Sequence, residues 1–306
     1  MKRLLLLITA GIILSACETT GSTRIAKMSA GASSISSTLE KSGSNIKHPD
    51  AYTVSTEIVR AGTQSYGITL SHEMGCYGFD CGNVADKKVG DQQRYELMTT
   101  PFKPNSKHWV GFSVYLDAKW QPLNHVKTTI WQVKTFSVEQ PHWQIATYGD
   151  TFILLLPNYI KDNRCVISQT DAMKSQWTDI QIYTDYSQQD NKDNNYEFLS
   201  VIVNGEKVCS RTEPFVIPSL ESKWTNHCGK NCQQRLKTYR FGQYRWPVSE
   251  WFMANTDKDI EFESGEGNPF AIDWGVELPT NTIYFDEIRI GKTLESVQIN
   301  QNNPVD

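Results

Sequence analysis

Positive charge is not in excess in this 306-residue sequence: 30 Lys and Arg stand against 34 Asp and Glu, a formal net charge of −4. Nucleic-acid binders are normally strongly basic, so that class is set aside, and cations would have to be gathered locally to hold any polyanion. A long amphipathic helix is missing, as is any repeat of fixed period, which sets aside repeat architectures. A membrane span is missing too, because the N-terminal apolar run, Leu4 to Leu14, is too short to cross a bilayer as a stable helix.

That run does have the layout of an export signal. Lys2 and Arg3 precede it and small residues follow it. Leu14-Ser15-Ala16-Cys17 resembles a bacterial lipobox, which implies a signal peptide over residues 1–16 and a lipid on Cys17 that tethers an otherwise soluble domain. Glu18 follows, where an Asp would resemble an inner-membrane retention signal, so the expected location is the cell envelope, at the outer membrane. Residues 17–49 are rich in Ser, Thr, Gly and Ala and cannot bury enough surface to offset their ordering entropy. They read as a flexible tether, leaving residues 50–306 as one domain.

Setting Cys17 aside leaves six cysteines, an even number, as expected of disulfides in an exported chain. Proximity pairs Cys76 with Cys81 and Cys228 with Cys232, and elimination pairs Cys165 with Cys209. A zinc site at Cys228 and Cys232 beside His227 is the weaker reading, since no second close ligand pair accompanies it, and no metal is assigned.

From Tyr52 onward, short runs of β-branched and aromatic residues alternate with turns. Strands are expected over 53–59, 93–98, 108–116, 127–136, 152–156, 177–183, 198–203, 206–209, 238–244 and 282–290. Asn204-Gly205 is a hairpin turn signal. Pro101, Pro104, Pro157 and Pro218 fall at strand ends, where a missing donor costs nothing. Many short strands without intervening helices imply an all-β sandwich of two antiparallel sheets.

Three of these strands carry the chemistry. Residues two apart on a strand share a face. Arg94 therefore lies with Glu96, Gln132 with Lys134, and Arg240 with Gly242 and Tyr244, while Tyr95, Leu97, Trp131, Val133 and Phe241 point into an apolar layer. An Arg-x-Glu-Leu strand, a Gln-x-Lys strand and a late basic-x-Gly-x-Tyr strand, in that order, resemble the jelly-roll polysaccharide lyases, a group that includes glucuronan lyases, heparin-lyase-I-like enzymes and alginate lyases. The resemblance spans about Val54 to Gly291, with the three short motifs its only specific part. It implies a concanavalin-like jelly roll that cleaves a uronate-containing polysaccharide by β-elimination. Thr282 to Gly291 resembles the closing strand of such folds, and there Asp286 reads as a structural residue bonded to loop amides rather than half of a catalytic pair with Glu287.

A uronate lyase removes the proton next to the sugar carboxylate and expels the glycosidic oxygen on the neighbouring carbon. Donors must therefore meet the negative charge that accumulates on the carboxylate. Arg94 and Gln132 suit this role, and Tyr244 can exchange the protons, with Arg240 and Lys134 expected to favour its phenolate. Lys134 stands where the alginate lyases more often carry a His, so Tyr244 acts alone, Lys134 assists it, or a loop His arrives. His125 and His142 flank the central strand and lead His72, His108 and His227. With Arg240 and Glu96 they complete the expected substrate-binding set.

Among Trp120, Trp143, Trp224, Trp246 and Trp251, one or two could stack on sugar rings. No cofactor is expected. The acidic run Asp257 to Glu266 could bind a structural calcium, but its spacing does not match an EF-hand and it reads as a solvated loop. The expected partners are an acidic polysaccharide and, through the lipid, a membrane, with the domain acting as a monomer. The alternative is a non-catalytic carbohydrate-binding lipoprotein on the same fold. A glycoside hydrolase ranks last, because only Glu96 supplies a carboxylate on the proposed face.

Overall fold

The computed structural model describes residues 23–24, 49–76, 78–82, 90–98, 107–135, 141–156, 163–185, 197–212, 237–299, 302 and 304. Cys17, Cys228, Cys232, His227, Trp224 and the four prolines expected at strand ends lie outside them. The described strands are β1 (Thr23–Arg24), β2 (Tyr52–Ser55), β3 (Ser65–Leu70), β4 (Gln93–Met98), β5 (Lys107–Leu116), β6 (Lys127–Thr135), β7 (Trp143–Tyr148), β8 (Thr151–Leu155), β9 (Arg164–Gln169), β10 (Trp177–Asp185), β11 (Leu199–Val203), β12 (Glu206–Arg211), β13 (Lys237–Trp246) and β14 (Asn281–Gly291). One short α-helix, α1 (Ser249–Asn255), follows β13.

The strands form two antiparallel sheets, the expected jelly-roll sandwich. An eight-stranded sheet runs β12-β11-β10-β5-β14-β3-β2, with β1 paired to β14. Thus Thr23 and Arg24, inside the stretch expected to be a tether, pair with Ile290 and Arg289. The six-stranded sheet runs β4-β13-β6-β7-β8-β9.

Alternation sets which faces meet. Trp131 and Val133 of β6 and Tyr239 and Phe241 of β13 turn inward to meet Phe112 of β5 and Phe285 of β14. Trp131 stacks on Phe112 with ring centroids 4.0 Å apart and on Phe241 at 5.2 Å. Such pairs contribute about 0.5–1.5 kcal/mol each beyond their area. Towards the end of β13 the inner face turns polar. Gln243 donates to the carbonyls of Ile68 and Asn281, and Arg245 donates to Gln93 Oε1 and the carbonyls of Leu70 and Pro279. Burial pushes the Arg245 guanidinium down to about 9, and these acceptors are what keep it tolerable inside.

Where strands end, local chemistry accounts for it. The expected strand over 53–59 stops at Ser55, whose Oγ accepts from the backbone of Glu57 and Ile58 and turns the chain. Asn204 and Gly205 have φ of 49° and 87°, the left-handed pair that a tight hairpin requires. Cys76 is bonded to Cys81 and Cys165 to Cys209. The second bridge joins β9 to β12, an edge strand of each sheet. Asp286 accepts from the backbone N–H groups of Arg60 and Ala61, the loop-amide role expected of it.

Candidate active site

The outer face of the six-stranded sheet carries the three motifs, and strand register fixes their spacing. Tyr244 sits opposite Arg94 of β4 and Thr129 of β6; Gly242 sits opposite Glu96; Arg240 sits opposite Met98 and Gln132. The pairing of β13 with β6 slips by one residue between Phe241 and Tyr244, and that of β6 with β7 between Thr129 and Trp131. The second slip turns both Ile130 and Trp131 into the core, so Thr129 and Gln132 face outward together.

Gly242 clears the middle of this face. Its φ is 144°, and a Cβ there would lie 2.2 Å from the Tyr95 carbonyl oxygen, so no side chain fits. Across the cleared position the Gln132 amide donates to Glu96 Oε1 at 2.5 Å. One amide N–H remains for a ligand.

Arg94 is held from the other side. Asp80, in the loop closed by the Cys76–Cys81 bridge, accepts from Arg94 Nε at 2.8 Å and Nη2 at 2.6 Å. Both partners are largely buried. The fork leaves Nη1 without a bond to any described residue and holds the guanidinium 5.2 Å from the centre of the Tyr244 ring. Asp80 is the site residue that the sequence pattern does not mark. Burial pushes its carboxyl up to about 6, against the pull of Arg94 and Lys134 and with the help of Glu96.

Tyr244 departs from expectation. The sequence pattern points to a phenolate favoured by surrounding cations, but burial raises the phenol well above its ordinary value. Arg94 opposes the rise, while Glu96 and Asp80 add to it. Arg94 is already matched by a carboxylate, so little net positive field reaches the phenol oxygen. Tyr244 therefore rests as a neutral hydroxyl able to donate and accept.

The remaining candidates divide by position. Arg240 is half-buried beside Gln132, and its Nε is buried without a hydrogen bond among the described residues. Lys134 pairs with Thr238, six residues along β13 from Tyr244, yet its charge still reaches Asp80. His142, whose backbone N–H donates to Val133, adjoins Lys134 at that far end and is buried. His125 is exposed, with φ 67°, in the turn before β6 at the opposite end. The face thus does not bring the two flanking histidines together. His72 and His108 have structural contacts: His72 packs on Phe252 and Phe270, and His108 is bonded to Tyr239 Oη. Of the tryptophans, Trp120 and Trp143 are core, Trp251 packs on Phe252, and Trp246 is exposed on the same face as Tyr244. Among the described residues, no three His, Cys, Asp or Glu side chains converge as metal ligands.

The sequence matches the model of a family described as polysaccharide lyase over residues 34–289. No curated protein matches it. Among solved structures, the fold is similar to that of an endo-β-1,4-glucuronan lyase from the fungus Trichoderma reesei, at 13% identity over 80% of this chain and 88% of that one, with a TM-score of 0.47. It is similar also to alginate lyase A1-II′ of polysaccharide lyase family 7, at 8% identity over 79% and 84% with a TM-score of 0.41. A third is the cellulose induced protein Cip1, at 13% identity over 83% and 93% with a TM-score of 0.39. With the family matched from residue 34 to residue 289, this chain belongs to the polysaccharide lyases.

Proposed function

We propose that the enzyme cleaves a uronate-containing polysaccharide by β-elimination on the outer face of its six-stranded sheet. The observation that carries this reading is the connected set Asp80–Arg94–Tyr244 beside Glu96–Gln132, built around the cleared position at Gly242. Arg94 Nη1 and the second Gln132 N–H meet the sugar carboxylate as negative charge spreads into it. The neutral Tyr244 hydroxyl gives its proton to the departing glycosidic oxygen and accepts the proton leaving the ring carbon, a syn elimination that ends with the phenol as it began. A resting phenolate is not needed for this. Lys134 and Arg240 act as binding cations further along the face.

The test is a panel of polyuronates incubated with the enzyme and followed by ultraviolet absorbance of the new double bond. Absorbance should rise on at least one acidic polymer and not on its carboxyl-reduced form. Silence on every polymer would sink the elimination reading.

We propose further that Cys17 carries a lipid that holds the enzyme at the outer membrane, with residues 17–49 as tether apart from the two that pair with β14. The support is the lipobox-like Leu14-Ser15-Ala16-Cys17 and the composition that follows. Cys17→Ser should move the protein from the membrane to the soluble fraction. Unchanged membrane fractionation would contradict it.

A further inference from the structure

One end of the same face carries a feature that the chemistry above does not use. Trp246 of β13, Lys127 of β6 and Tyr148 of β7 stand side by side in register. Trp246 lies two residues beyond Tyr244 and Lys127 two before Thr129, so this row sits about 7 Å along the strands from the Tyr244 row and faces the same way. Both rings are open to water, Trp246 at 38% and Tyr148 at 49%, whereas Trp120, Trp131, Trp143 and Trp274 are almost fully buried.

Between the rings stands a cation. The Lys127 ammonium lies 5.7 Å from the centre of the Trp246 ring and has no carboxylate partner among the described residues. Most of its side chain is withdrawn from water, and that desolvation lowers its pKa. An ammonium largely withdrawn from water and matched, among the described residues, by a ring face alone is under-compensated, and a carboxylate arriving from solvent would complete it.

Trp246 also has a loop at one edge: a Cβ added at Gly265 would come 3.9 Å from its Cζ2. The Gly265 backbone N–H donates to Asp91, which also accepts from the backbone and hydroxyl of Ser249 at the start of α1. A ring bordered at one edge by a bonded loop and part open to water can serve as a stacking platform.

We propose that Trp246, Lys127 and Tyr148 form a subsite that binds a second acidic sugar unit of the same polysaccharide strand, next to the unit being cleaved. Sugar faces stack on Trp246 and Tyr148, and the carboxylate of that unit pairs with Lys127. This rests on the proposed polyuronate substrate, and the prediction is that binding strength depends on strand length through this row.

The test measures binding rather than turnover. Titration of polyglucuronate, and separately of alginate, into protein carrying Tyr244→Phe should be compared with the same protein carrying also Lys127→Met or Trp246→Ala. Each added change is expected to weaken binding of the preferred polymer by about tenfold or more. Lys127→Met should also erase the preference for that polymer over its carboxyl-reduced form, and Trp246→Ala should weaken both. Thermal unfolding and circular dichroism establish that the variants are folded. Unchanged affinity in both variants, or no binding of either polymer by the parent protein, overturns the subsite. If the variants lose binding while no polymer yields a double bond, the subsite stands and the lyase reading of the Tyr244 cluster fails.

Discussion

Tyr244→Phe should leave a folded protein whose elimination rate is lower by about a hundred- to ten-thousand-fold, the usual worth of positioned acid or base catalysis. The substitution removes one oxygen and keeps the ring that faces Arg94 at 5.2 Å. The Tyr244 hydroxyl makes no hydrogen bond to a described residue, so its loss strands no partner, and the melting temperature should barely move. Because the hydroxyl acts on protons that move only in the transition state, kcat and kcat/KM should fall together while KM stays near its starting value. A loss carried by KM alone would make Tyr244 a binding residue. Near-normal elimination on a confirmed substrate would place the chemistry elsewhere on the protein.

Period-two alternation is why the faces of Arg94, Gln132 and Tyr244 were legible in the sequence. Each lies on a strand whose inward residues, Tyr95, Trp131, Val133 and Phe241, are large and apolar, so a register error would have buried charge. Less was legible where burial is polar. Alternation puts Gln243 and Arg245 on the inward face of Phe241, but nothing local shows what satisfies them there, because their acceptors are carbonyls of β3 and the β14 approach, distant in sequence. β3, β7 and β9 were missed for a related reason: in Ser65–Leu70, Trp143–Tyr148 and Arg164–Gln169, polar or small residues interrupt the apolar runs, and neighbouring strands supply the pairing.

The charge balance at the site was hidden more deeply. Counting cations near Tyr244 suggested a phenolate, but the sign depends on burial and on two acids. Glu96 was visible on the strand. Asp80 was not, since a loop residue fourteen positions before Arg94 carries no periodic signal, and only the folded loop brings it to the guanidinium. Cys81, next to it, hinted at a pinned loop without saying what the pin holds.

Asp80 should therefore be the most informative residue after Tyr244, although it touches no substrate in the proposed geometry. As a carboxylate it accepts two N–H groups of Arg94 and fixes the plane of the guanidinium. Asp80→Asn keeps the shape but turns an amide NH2 toward a second donor, so one bond is lost and a repulsion replaces it. Turnover should fall by about ten- to a hundredfold, the worth of one charge-assisted hydrogen bond. The pH dependence separates positioning from mere support of the fold. Burial has pushed the Asp80 carboxyl up to about 6, so it is ionised above that pH and protonated below it. Wild-type turnover should accordingly decline as pH falls through about 6, because protonation releases half of the fork on Arg94. In Asp80→Asn nothing titrates at this position, and the same limb should flatten at a low plateau. Arg94→Lys should not restore activity in either background, since an ammonium cannot span both Asp80 and a sugar carboxylate in a fixed plane. Persistence of the full acid limb in Asp80→Asn would assign it to another group and remove Asp80 from the mechanism.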